Sequence, residues 1–297
     1  MQRRNFLGYF LLLIAGCTAA TSNPKLQSSN SQAGSFPEKL RFTVTDVQDI
    51  EELKRDYGAL RAELEKVLEK KIEFAPVGSY TAAAAALQSD QLDFVLTGPS
   101  EYVVMRARTN AVPVIGITRP NYYPVICVSG NSKIQSVAQL KGKKIAMWKV
   151  GSTSGHLGPT KLVIDAKLNP KSDLEILMLG SKGLLALRRC EVDAWGGSAV
   201  KYRKFLQDQG LSERALPLIQ QGALFPNDLF VASSKLDAGF VKEISDRLVK
   251  NQDSLMQSLS SVEEGKYKGS KLVTANDSDY NMVRAVYKAI GQGTFVQ

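Results

Sequence analysis

Hydrophobic positions along this chain change period several times, and the changes mark its elements. Residues 40–46 alternate apolar and polar as a half-buried strand does. Ile50, Leu53, Tyr57, Leu60, Leu64, Val67 and Leu68 instead recur every three to four residues, which predicts one long amphipathic helix over 49–70. A strand follows over 71–77, then an Ala-rich helix over 80–87 started by Ser79, then a short apolar strand over 92–96. Residues 111–118 and 122–129 read as strands. A second series runs through a strand at 144–148, a helix from about His156, a strand at 174–178, a helix at 184–189 and a strand at 192–195. Strand–helix alternation implies mostly parallel sheets covered by helices, and two such series imply two α/β halves with a ligand crevice between them.

The N-terminus departs from this pattern. Met1-Gln2-Arg3-Arg4 is basic and 5–15 is almost wholly apolar, too short to span a bilayer comfortably and shaped like a secretory signal. Leu13-Ile14-Ala15-Gly16-Cys17 resembles a bacterial lipobox, so residues 1–17 are expected to be a signal peptide ending at Cys17, which carries the lipid. Arg3-Arg4-Asn5-Phe6-Leu7 also resembles a twin-arginine export signal, and either export route is open. Residues 18–37 are polar and small and read as a flexible tether. The expectation is an exported, periplasmic chain anchored to membrane by lipid.

Composition narrows the chemistry. The 297 residues are 44% hydrophobic, ample for a buried core, and 38 basic against 29 acidic residues give a net charge of +9. That excess either solvates the surface or draws anions toward a cleft. The basic residues are scattered and the chain is exported, so no nucleic-acid partner is expected. Cys127 and Cys190 are expected to be buried thiols, not a disulfide framework. His156 is the only histidine, which excludes multi-His metal ligation and leaves one base for a Ser–His hydrolase using Ser154. No G-x-S-x-G elbow or Walker A loop accompanies it. No metal, cofactor or catalytic residue is expected.

One local motif carries chemistry. Gly151-Ser152-Thr153-Ser154-Gly155 lies between the 144–148 strand and the helix after it. Three hydroxyls flanked by glycines offer O–H and N–H donors to an oxyanion, and the helix start adds unpaired N–H groups and the positive end of a dipole. The alternative is a Ser/Thr helix cap after an ordinary turn.

Set in order along the chain, further stretches join that loop: Leu-Arg-Phe-Thr-Val-Thr at 40–45, Val-Gly-Ser-Tyr at 77–80, Leu-Asp-Phe-Val-Leu-Thr-Gly-Pro-Ser-Glu-Tyr-Val at 92–103, Tyr-Tyr-Pro-Val-Ile at 122–126, Leu-Lys-Gly-Lys at 140–143, Glu-Val-Asp-Ala at 191–194 and Pro-Asn-Asp at 226–228. The ordered set resembles the substrate-binding components of phosphate/phosphite/phosphonate ABC importers, two-lobed periplasmic binding proteins. The resemblance implies an inserted second lobe, with 38–125 and 230–297 as lobe 1, 126–229 as lobe 2, and crossings near 123–129 and 228–232. It implies that Ser152, Thr153, Ser154 and Gly155 grip the oxyanion, that Tyr80, Tyr102 and Ser100 contribute from the opposite lobe, and that the acid Asp228 faces the cleft. Two departures from the family pattern bear on the ligand. Lys182 stands where a His is common, and Ser198 and Val200 lie where an acid is common, both making the site more cationic and favouring a fully ionised anion. The expected partners are a small phosphorus oxyanion (phosphate, phosphite or a small phosphonate), an ABC permease and a membrane, with the chain itself a monomer. The alternatives are a ligand sensor of the same fold reporting to a membrane receptor, or a binder of another small oxyanion.

Overall fold

The 49–70 run folds as helix α1 (Ile50–Leu68). The Asp49 carboxylate caps it, accepting from the Glu51 and Glu52 N–H groups at 3.0 and 2.9 Å. Its periodic side chains, from Leu53 to Leu68, turn inward onto a sheet. This computed structural model describes residues 36–79, 82–260, 262 and 265–297; the signal segment, Cys17, most of the tether and Tyr80 lie outside the described residues.

Two mixed sheets organise the described chain. The first orders β11 (Leu272–Val273), β4 (Val112–Ile117), β10 (Asp228–Ala232), β3 (Phe94–Thr97), β1 (Lys39–Val44) and β2 (Lys71–Phe74). The second orders β7 (Leu174–Met178), β6 (Lys143–Met147), β8 (Ala194–Ser198), β5 (Pro124–Val128) and β9 (Leu218–Gln221). In each sheet one strand has two parallel neighbours, β1 between β2 and β3 and β6 between β7 and β8. The remaining pairings are antiparallel, and all but β11 with β4 involve β10 or β5, which enter from the other sheet and not by a strand–helix–strand crossover.

The chain changes sheet in residues 118–123 and 222–227. Strand β5 therefore lies wholly in the second sheet and β10 wholly in the first, with the changes of sheet at or just before the stretches 123–129 and 228–232. Around the first sheet, α1, α7 (Ala238–Lys250) and α8 (Gln252–Ser258) cover one apolar face. The helices α2 (Ala82–Gln88), α3 (Pro99–Thr109) and α9 (Asn281–Ala289) cover the other. The second sheet packs against α4 (Gly158–Asp165) on one side and α5 (Gly183–Arg188) with α6 (Ala199–Asp208) on the other.

One cysteine expectation fails. Cys127 is buried in β5, but Cys190 is exposed. It follows the last turn of α5 at φ +59°, a left-handed position that ends the helix and leaves its side chain in solvent. Among the described residues, no helix is long and apolar enough to cross a membrane, and no group of three His, Cys, Asp or Glu side chains could hold a metal ion.

Candidate functional site

After β6 the Gly-Ser-Thr-Ser-Gly segment enters a π-helical turn, Thr153–Leu157, and α4 starts only at Gly158. The His156 and Leu157 N–H groups both donate to the Ser152 carbonyl at 3.0 Å, and the Gly155 N–H donates to Ser152 Oγ at 3.2 Å. Glycine is required at 155, where a Cβ would stand 2.3 Å from that of Trp148. His156 is buried with its Nδ1 accepting from the Gly151 N–H at 3.2 Å, and burial holds its pKa below the ordinary imidazole range. The imidazole therefore braces the turn as a neutral acceptor.

The three hydroxyls have different partners. Ser152 Oγ accepts the cap bond and keeps its own hydrogen to donate. Thr153 reaches the first lobe: the Ser100 N–H donates to Thr153 Oγ1 at 3.0 Å, Thr153 donates to Ser100 Oγ at 2.7 Å, and Ser100 donates to Glu101 Oε2 at 2.6 Å. Ser154 lies beside the Tyr122 hydroxyl and lowers its pKa against the larger effect of burial, which raises it. Tyr122 is itself clamped between the Arg119 guanidinium, 3.7 Å from its ring centroid, and Phe225, 4.8 Å away.

Facing this turn across a cleft of about 840 Å³ are Asp46, Glu101, Arg119, Asp228 and Lys266. Asp228, 1% exposed at the start of β10, accepts from Arg119 Nη1 at 3.3 Å and from the Tyr267 hydroxyl at 3.0 Å, with Lys266 Nζ at 3.6 Å. Lys266 also reaches Asp46 at 2.5 Å. Burial alone would raise the Asp46 pKa, yet the Lys266 charge and hydrogen bond hold it below the usual carboxylate range. The same pairing overcomes burial to push Lys266 up. Glu101 has no such cation; burial raises it to about 7 despite the hydrogen bond from Ser100. Three buried atoms of this cluster, Arg119 Nε, Asp46 Oδ1 and Asp228 Oδ1, have no hydrogen-bond partner among the described residues. They amount to one unmet donor and two unmet acceptors at the cleft floor.

The structure brings Ser152, Thr153, Ser154, Gly155 and Asp228 to one cleft. Ser100 is buried behind it and touches it through Thr153. Tyr102 does not line it: fully buried on α3, it donates to Asp277 Oδ1 at 2.6 Å and meets Tyr280 edge-on at 4.6 Å, because its place on the helix turns the ring into the core. Lys182 ends a short turn at Gly180–Lys182, exposed and apart from the residues lining the cleft. Ser198 and Val200 do line it, Ser198 capping α6 by accepting the Lys201 N–H at 3.2 Å. The cleft is nevertheless not short of acid, since Asp46 and Glu101 come from the other lobe. Tyr80 and the lipidation position Cys17 lie outside the described residues.

Sequence reasoning missed Arg119, Lys266, Asp46 and Glu101. Glu101 had a readable signal, an acid in the first helical turn after Gly98-Pro99. The others are separated by up to 220 residues and meet only in the fold.

A family model described as "ABC transporter, phosphonate, periplasmic substrate-binding protein" matches residues 42–280. The phosphate-import protein PhnD of Mycolicibacterium smegmatis is 23% identical over 301 aligned positions, which cover 92% of each chain. Among solved structures, PhnD1 of Prochlorococcus marinus in complex with methylphosphonate superposes with a TM-score of 0.69 at 20% identity, over 86% of this chain and 99% of that one. The aliphatic sulphonate binding protein SsuA of Escherichia coli superposes with a TM-score of 0.60 at 20% identity, over 88% and 89%.

Proposed function

The chain belongs to the family of periplasmic phosphonate-binding components of ABC transporters, and from that premise we propose that the 152–155 turn and the facing Arg119 together capture a small phosphorus oxyanion. Membership makes it a phosphonate/phosphate substrate-binding component that serves a membrane permease. The observation that carries the reading of the site is the juxtaposition of a hydroxyl turn with a guanidinium whose buried Nε has no hydrogen-bond partner among the described residues. Neutral hydroxyls and N–H groups supply directional donors, and Arg119 supplies the charge that a desolvated anion needs. In this reading Thr153 acts at the lobe contact and Ser152 offers the O–H it has to spare. No bond is made or broken in the ligand; the lobes close on it and later release it to the permease.

Replacing Ser152, Thr153 and Ser154 together by Ala tests the site. A hydrogen bond to a charged ligand contributes roughly 1.5–3 kcal/mol, so calorimetry with methylphosphonate and phosphate should show a loss of at least about tenfold. Unchanged affinity would move the site elsewhere. We also propose that Cys17 anchors the chain by lipid and that the chain works as a monomer. Cys17→Ser should then shift the processed protein from the membrane fraction to the soluble one, since acyl chains supply the membrane affinity; a processed variant still held in the membrane fraction would count against the anchor. Sedimentation at micromolar concentration should give a single chain's mass.

A further inference from the structure

Beside the cleft lies a second cavity of about 350 Å³ that the oxyanion site does not use. Its wall contains Val150, Gly151, Tyr287 and Phe295, with Gly78 and Ser79 from the first lobe. Gln48 and Lys149 line both cavities, and Gly151 in this one adjoins Ser152 in the other, so the two spaces are neighbours at the start of the hydroxyl turn.

The chemistry of the two is unlike. The cleft is walled by ions and hydroxyls, whereas among the described residues the side cavity is lined by no acid and by one cation, Lys149, at the shared edge. Val150 is 62% exposed and Phe295 36%, two of the few large apolar side chains left in solvent, and both face this space. Scattered exposed apolar residues need no explanation, but two that meet over a cavity adjoining a ligand cleft do. Its size lies within the range of small-molecule pockets and exceeds the needs of one tetrahedral ion. A Cβ at Gly78 or Gly151 would meet nothing within 4 Å, so the backbone there does not close the cavity.

We propose that this side cavity takes the apolar organic substituent of a phosphonate whose charged head is held at the 152–155 turn, making the chain selective for organophosphonates that carry several carbons. This rests on the oxyanion reading of the cleft. Tyr287 and Phe295 put aromatic carbon into the wall, the Phe295 ring also carrying the Arg108 guanidinium 5.1 Å from its centroid, Val150 offers methyl groups, and the amides of Gln48 and Gln292 border the space. An apolar group leaving water for such a wall gains affinity in proportion to its buried area.

Calorimetry on the full chain with phosphate, methylphosphonate and phenylphosphonate decides the matter, alongside Val150→Asp and Phe295→Ser. Both positions are solvent-exposed, so neither substitution opens the core. The expected result is phenylphosphonate binding about tenfold or more tighter than methylphosphonate, an advantage that each variant reduces while leaving methylphosphonate and phosphate unchanged. Phenylphosphonate binding no tighter than methylphosphonate, or variants that weaken all three ligands alike, would overturn the side cavity and leave the oxyanion site standing. Failure of all three to bind the wild-type chain would instead overturn the oxyanion reading, and this inference with it.

Discussion

The two walls of the cleft solve the same problem with different materials. On the second-lobe side Ser152, Thr153 and Ser154 form a contiguous run of neutral donors, fixed by bonds within the turn and by the paired bonds of Thr153 to Ser100, beside the cations Lys149, Lys201, Arg203 and Lys204 that also line the cleft. The first-lobe wall is a network of buried and partly buried ions, Asp46, Lys266, Asp228 and Arg119, gathered from the ends of β1 and β4, the start of β10 and a segment before β11. Hydroxyls can be buried cheaply because their bonds are easily met, whereas buried ions hold only while each keeps its counter-charge. One wall can thus lose a side chain and keep its shape, and the other cannot.

Lys266→Met breaks that comparison hardest. It leaves Asp46 without its ion-pair partner and Asp228 with Arg119 alone, and should lower unfolding free energy by about 3–5 kcal/mol in a denaturant titration. A loss under 1 kcal/mol would mean that the ions are better hydrated than their burial implies.

A second test follows from Glu101, a buried acid of this wall with no cation paired to it among the described residues. Its pKa is raised by burial from the usual carboxylate value to about 7, so the folded chain holds a proton that the unfolded chain has lost across the interval between. Stability associated with that proton is fully present below the unfolded value and is lost as pH rises through about 7. Against Glu101→Gln, which cannot ionise, the wild type should lose denaturation midpoint between pH 4.5 and 7.5. Parallel pH profiles for the two would show Glu101 ionised throughout.

The smallest effect is expected at Lys182. Exposed and off the cleft, it should leave phosphate and methylphosphonate affinity within about twofold when replaced by Ala, since a solvated charge at that remove is screened. A tenfold loss would restore Lys182 to the site. Lys182 itself gives no ground for a preference for fully ionised ligands, and the cations that line the cleft are others: Arg119 and Lys266, each bound to a carboxylate, with Lys149, Lys201 and Arg203.

What the sequence by itself determined is what repeats or stays contiguous. The 3.6-residue period of α1 set both the helix and its buried face, because burial of one stripe is a local arithmetic. The alternation of strands and helices set the two α/β halves, and the hydroxyl turn was legible because three donors and two glycines sit side by side. Only the tertiary structure decided the rest. Whether Tyr102 meets ligand or core depends on the rotation of α3 against α9, and whether Lys182 points to the cleft depends on a turn its neighbours do not encode. The ion wall depended on it most. Asp46 and Lys266 are 220 residues apart, and no local pattern marks two charges that become partners only when the sheet, the crossing segments and the C-terminal helices close around them.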